Sequence, residues 1–233
     1  MRSARGAEVV EQDAVISVVL REPGAAGCLF DVLAACLAAL AGGPRLLILG
    51  FAAGGVIAPL RAMGWSHPLR AVDLDLRGET LFRELCGEWC GEVRVEQDDA
   101  ARWLRRRWRA RFDGILEDLS VTEDHLTTKP EVSLEILPSL MRQRLRPGGV
   151  VVTNVLPVAG LGSEEVLEQL AGTDRRGLVV DFEQWENRLL LRGDGLPTAR
   201  EATRRIREVL RGIGSSQADR LRVRSRSWRP MSR

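Results

Sequence analysis

Tyrosine is absent from this 233-residue chain, and Lys129 is its only lysine. A GC-rich genome imposes a bias of that kind, and neither absence assigns a function. Only two histidines, His67 and His125, and four cysteines are present. Cys86 and Cys90 are one helical turn apart, but a zinc site needs two further ligands, so no metal centre is expected. The cysteines read instead as free thiols, which suits a reducing cytoplasm. No apolar run approaches the roughly 20 residues of a membrane span, and the most apolar stretch, 27–40, carries Asp31. Arg2 and Arg5 precede acidic residues rather than an apolar core, so no secretory signal is expected. A net charge of +2 leaves no global field that selects nucleic acid or membrane.

What remains is a soluble α/β composition, 45% hydrophobic and 28% charged, with length for one sizeable core. Segments 8–12 and 14–21 are rich in strand formers and predict a short N-terminal β-hairpin. Leu29–Leu40 predicts a helix, with Phe30, Leu33, Leu37 and Leu40 on one stripe, a face that could also serve a homodimer. From Arg45 onward, strands alternate with helices. The strands are expected at Leu46–Leu49, Leu69–Asp73, 93–96, 114–118, 150–154, 178–181 and Arg188–Arg192. Near-continuous apolar runs imply a sheet covered on both faces. The fold class is therefore a Rossmann-like, doubly wound, mostly parallel sheet. The strand at Arg188–Arg192 follows too short a gap for a crossover, so it should run antiparallel. Residues 198–211 predict a helix through Ala202, Ile206 and Leu210, and 221–228 alternates like an edge strand or remains a flexible tail. The division expected is 1–44, hairpin and helix, and 45–233, ligand-binding domain, as one structural unit.

Five stations along this pattern carry chemistry. Ligands of open α/β sheets sit beyond the carboxyl ends of the strands. Gly50 ends the first strand, and Phe51, Ala52, Gly54 and Gly55 form a small-residue turn where backbone can approach a ligand. Asp73 ends the second strand, roughly 20 residues on, where an acid accepts bonds from ribose hydroxyls. Asp75 beside it reads as a helix cap. Asp98 and Asp99, followed by Ala100, end the third strand, where a carboxylate can hold an adenine amine or cap the next helix. Asp118 ends the fourth strand, with Glu117 facing the other side of the sheet. Leu145-Arg146-Pro147-Gly148-Gly149 is a turn that feeds the fifth strand.

The ordered set resembles the class I S-adenosylmethionine-dependent methyltransferase fold, and within it the spermidine synthase-like branch. The likeness runs from about Phe30 to Arg192. It implies that Asp73 holds the ribose and that Asp99 with Ala100 holds the adenine. Gly50, Phe51, Ala52, Gly54 and Gly55 would line the amino-acid or aminopropyl end, and Asp118 would stand beside the reacting centre. The ligand implied is S-adenosylmethionine, its decarboxylated form or methylthioadenosine. Departures from the branch are informative. Its glycine-loop aspartate falls on Ala53, and the second acid of its strand-four motif falls on Val121. A stretch that carries Tyr and His in the branch is here Gly27-Cys28-Leu29-Phe30-Asp31-Val32-Leu33. Aminopropyl transfer uses carboxylates to hold cationic amines. Methyl transfer asks less of particular side chains, because the sulfonium is already activated. The leading expectation is therefore a methyltransferase. The alternatives are an aminopropyltransferase, with Glu123 and Asp124 substituting for the lost acids, and a non-catalytic binding protein of the same fold.

Ser120 and His125, with Lys129, lie in the loop expected over the acceptor. A small-molecule acceptor is favoured over nucleic acid. Residues 102–111 read R-W-L-R-R-R-W-R-A-R; Trp103, Leu104 and Trp108 form an apolar face, and the arginines form a basic one open to RNA or another anion.

Overall fold

The computed structural model describes all residues except Met1, Arg5, Gly6, Asp13, Trp108, Asp124, His125 and 229–233; before Ser17, and at Glu123, only the backbone is described. The chain opens with β1 (Arg2–Ala4), β2 (Ala7–Gln12) and β3 (Ala14–Leu20). β2 and β3 pair antiparallel as the expected hairpin, and β1 adds a third strand that the composition did not announce. Helix α1 (Leu29–Leu40) follows, then β4 (Leu46–Leu49), α2 (Ile57–Ala62), β5 (Leu69–Asp73), α3 (Arg77–Cys86), β6 (Val93–Gln97), α4 (Ala100–Arg106) and β7 (Phe112–Glu117). A small hairpin, β8 (Val121–Glu123) and β9 (Leu126–Thr128), leads into α5 (Glu131–Glu135) and α6 (Leu137–Arg144). The chain closes with β10 (Leu145–Val155), α7 (Ser163–Ala171), β11 (Arg176–Phe182), β12 (Arg188–Arg192), α8 (Ala199–Gly212) and β13 (Leu221–Ser227).

Eight strands form one sheet in the order β13-β11-β12-β10-β7-β4-β5-β6. β4, β5, β6, β7 and β10 run parallel. β12 is antiparallel to both neighbours, and β13 runs antiparallel on the edge beside β11. Side-chain alternation along the strands divides the core in two. Leu46 and Ile48 face a layer with α1, α3 and α8, while Leu47 and Leu49 face α4 and α6. Both faces are covered, which is why β4 can be apolar without a break. Within α1, Leu33 and Leu37 are fully buried inside the chain. In α8 the buried positions are Ala202, Ile206 and Leu210, and Thr198 Oγ1 caps the helix by accepting Glu201 N at 3.2 Å. β13 buries Leu221 and Val223 and leaves Arg222 and Arg224 exposed, so the tail is an edge strand rather than a loose end.

Strand order reverses at β4, between β5 and β7. The turn after β4 and the carboxyl ends of β5, β6, β7 and β10 therefore share one edge of the sheet.

Candidate functional site

The ladder continues one step past the strand ends and fixes the stations relative to each other. Gly50 N donates to Val72 O at 2.9 Å, Asp118 N to Leu49 O at 2.9 Å, and Asp98 N to Asp73 O at 3.0 Å. Gly50 has φ 88, and a Cβ there would lie 2.7 Å from the Asp118 carbonyl oxygen. The glycine turn and Asp118 are thus in contact, and no other residue type fits at the crossing.

Asp73 organises the turn. Its Oδ2 accepts Phe51 N at 2.7 Å and Ala52 N at 2.8 Å, and its Oδ1 accepts Asp75 N at 3.0 Å. Ala52 sits at φ 47, in the left-handed region, a conformation that costs about 1–2 kcal/mol for a residue with a side chain. The charged bond from its N–H to Asp73 offsets that cost. Gly78 at the start of α3 has no side chain because any Cβ would overlap Ala52 O. Asp99 Oδ1 accepts Arg102 N at 2.7 Å and caps α4, while buried Asp98 takes the side chains of Arg102 and Arg106. Asp75 Oδ1 accepts Arg77 N at 2.8 Å just ahead of α3.

The other glycines of the turn meet protein. A Cβ on Gly54 would strike the rings of Phe82 and Phe51, and one on Gly55 would meet Phe30 and the Ser17 hydroxyl at 3.0 Å. Phe51 and Phe82 pack edge to face, with centroids 5.3 Å apart. These two glycines are therefore required by packing: aromatic rings lie where a side chain would begin.

Asp118 is half-buried at the end of β7, where Asn154 Nδ2 donates to its Oδ1 at 2.7 Å and Asn187 Nδ2 donates to Asn154 Oδ1 at 3.2 Å. Desolvation raises its pKa to about 6; the Asn154 bond and the charge of Lys129 pull the other way. The sign follows. A carboxyl with a raised folded pKa stabilises the fold most when protonated, below its unfolded value, and that stability is lost as pH rises toward about 6. Asp118→Asn should therefore flatten the stability profile between about pH 4 and 6. It should also raise the unfolding free energy at pH 7, read from urea titrations at several pH values. An unchanged profile would show that Asp118 is solvated.

Glu117 points the other way, as strand alternation requires. It is fully buried, and its Oε1 accepts Lys129 Nζ at 2.8 Å and Ser133 Oγ at 3.0 Å. Lys129 also donates to Leu119 O at 2.9 Å, so its ammonium lies beneath the loop rather than over an acceptor. Ser120 is exposed at the edge, and His125 falls outside the described residues. Leu74, Val121 and Leu126 are exposed apolar side chains along the same edge. Sequence reading missed Asn154, although a Thr-Asn pair closing the run Val150-Val151-Val152 is a polar signal at a strand's carboxyl end. The cysteines take no part: burial lifts the Cys28 thiol to about 11 and Cys86 to about 12. Among the described residues no group of His, Cys, Asp and Glu is placed to hold an ion, and no helix is long and apolar enough to cross a membrane.

No family model matches the sequence, and no curated protein does. Solved structures do align. Human methyltransferase-like protein 13, in complex with SAH, superposes with a TM-score of 0.61 at 19% identity, over 87% of this chain and 95% of that one. A spermidine synthase in complex with the transition-state analogue AdoDATO gives 0.59 at 13% identity, over 82% of this chain and 66% of that one. The spermidine synthase of Thermotoga maritima gives 0.58 at 14%, again with 66% of its length spanned. The chain thus covers about two thirds of the spermidine synthases it aligns with. Strand order, the antiparallel β12 between β10 and β11, and these alignments together establish that the chain has the class I methyltransferase fold.

Proposed function

We propose that this protein binds S-adenosylmethionine or a close adenosyl-sulfur relative at the carboxyl edge of the sheet and transfers a methyl group to a small molecule. One observation carries the reading: Asp99, Asp73 and Asp118 stand on neighbouring strand ends, with Asp118 in contact with the glycine turn. A carboxylate offers about four acceptor positions. Asp73 gives three to backbone N–H groups and Asp99 gives one, so each retains capacity for a ribose hydroxyl or an adenine amine. The nucleoside end therefore fits. Gly54 and Gly55 are held against the core by Phe30, Phe51 and Phe82, which fixes the turn that the amino-acid end would face.

When bound, the ligand would supply a methyl group already activated on sulfonium. The residues of this chain supply position and a proton site. Asn154 fixes one Asp118 oxygen and leaves the other to orient an acceptor hydroxyl or amine, or to take its proton. A pKa of about 6 leaves Asp118 mostly ionised at neutral pH, the form such a base requires. Exposed Leu74, Val121 and Leu126 favour an acceptor with an apolar face. Ala53 and Val121, where aminopropyl chemistry would place acids, argue against the polyamine alternative.

Calorimetric titration tests this directly. S-adenosylmethionine should bind more tightly than decarboxylated S-adenosylmethionine or methylthioadenosine, the by-product of aminopropyl transfer, and NAD should not bind. Preference for the decarboxylated form would favour aminopropyl transfer, and no binding of any of the three would remove both readings.

A further inference from the structure

The opposite edge of the sheet carries a second concave surface, of about 700 Å³, at the amino ends of β4, β5, β6 and β7. Arg45 precedes β4, Arg70 lies on β5, Arg94 on β6, and Arg106 and Arg107 close α4, all lining this groove. Arginines at a helix carboxyl end complement its dipole, which accounts for Arg106 and Arg107. It does not account for Arg70 and Arg94, which lie on strands, or for Arg45, which precedes one. Three of the arginines share one carboxylate: Glu96 faces Arg107 at 3.0 Å, Arg70 at 3.6 Å and Arg94 at 4.0 Å, while Arg106 pairs with Asp98 and Glu92 also lines the groove. These arginines stay open to solvent: the side chains of Arg70 and Arg107 are each 46% exposed and that of Arg94 is 62% exposed.

We propose that this groove binds single-stranded RNA through its phosphodiester backbone. Strand ends lie about 4.8 Å apart, so four of them spread guanidinium groups over roughly 15 Å. That length suits several successive phosphates rather than one small anion. Guanidinium forks bond phosphate oxygens bidentately. One end of the groove carries His67, exposed, its ring set edge-on to Trp65 with centroids 5.8 Å apart. An exposed ring beside a cationic track is the chemistry that holds unpaired bases. A membrane surface fits poorly, since the exposed large apolar side chains among the described residues all lie at the other edge. The strands, about 15–20 Å long, separate the groove from Asp118, so the RNA is a tether and not the methyl acceptor. The inference stands whether or not an adenosyl compound binds.

Fluorescence anisotropy of the full chain with a labelled 12-nucleotide single-stranded RNA tests the proposal. Each phosphate contacted contributes about −0.7 to the slope of log affinity against log salt. With four contacts, binding should weaken roughly 50-fold between 50 and 200 mM salt. Arg70→Ser with Arg94→Ser should weaken binding at 50 mM salt at least 10-fold and lower the slope. Arg200→Ser with Arg204→Ser, on the exposed face of α8, changes net charge equally and should leave binding within 2-fold. Unfolding midpoints of both variants, measured in parallel, identify any loss that comes from misfolding. Absent or unsaturable RNA binding, equal loss with both pairs, or capture by anionic phosphatidylglycerol vesicles in place of RNA would each overturn it.

Discussion

Lys129→Met should lower the unfolding free energy by about 3–5 kcal/mol, the cost of stranding a buried charge. Lys129 is 3% exposed and Glu117 is fully buried. Glu117 Oε2 has no protein partner, so Oε1 carries the whole interaction, with Lys129 Nζ, Ser133 Oγ and Leu119 N as its donors. Removing the ammonium leaves a buried carboxylate with only one hydroxyl and one backbone N–H to hold its charge. The adjoining chain should loosen as well. Thr128 Oγ1 donates to Pro157 O at 2.7 Å and Lys129 Nζ to Leu119 O, and together these pin the β8–β9 hairpin at its base. Amide exchange should accelerate there before it does in β7. A second consequence reaches the site: the positive charge of Lys129 holds the Asp118 pKa down, so its titration should move above about 6 in the variant. Denaturant titration checks the first effect. Glu117→Gln combined with Lys129→Met should recover part of the loss, because the double variant strands no charge. A loss below about 1 kcal/mol in the single variant would mean that water reaches Glu117.

The same pair illustrates where sequence reading stops. Alternation on β7 already assigns Glu117 and Asp118 to opposite faces, and that placement holds. Sequence alone places Lys129 with Ser120 and His125 in the loop over the acceptor, because nothing local reveals that a lysine twelve positions downstream folds back under the strand. Long-range pairing of this kind is set by the path of the β8–β9 hairpin, which is three residues per strand and too short to leave a periodic signal. The same holds for Asn154 and Asn187, which meet only because β12 inserts beside β10. The short gap before β12 predicts its antiparallel direction, but not its position inside the sheet. Strand cores, by contrast, follow from elementary patterning. Leu46–Leu49, Leu69–Asp73 and Arg188–Arg192 fall where apolar runs end at glycine, aspartate or arginine. The basic groove lay half in view. Residues 102–111 showed their charge, whereas Arg45, Arg70 and Arg94 join them only through the sheet.

Asp73→Ala should be nearly as damaging, at about 2–4 kcal/mol of stability, because hydrogen bonds to a charged group are worth about 1.5–3 kcal/mol each and water can replace some of three. Phe51 N, Ala52 N and Asp75 N lose their acceptor together, and the left-handed Ala52 loses what holds it. That prospect alters what a binding measurement on this variant can mean. Weaker binding by Asp73→Ala would follow from a collapsed turn as readily as from a lost ribose contact. Asp73→Asn separates the two. Its amide oxygen can still accept Phe51 N and Ala52 N, and the one bond forfeited, to Asp75 N, is worth about 1 kcal/mol once solvent is admitted. If Asp73 also bonds a ribose, the asparagine variant should stay folded at 25 °C yet bind adenosyl ligands about 10-fold more weakly, since a charged acceptor has become a neutral one. Calorimetry paired with thermal unfolding of the same samples reads both quantities. Unchanged affinity in a stable Asp73→Asn protein would assign Asp73 to the turn alone, and the nucleoside would then have to be held by Asp99 and the backbone.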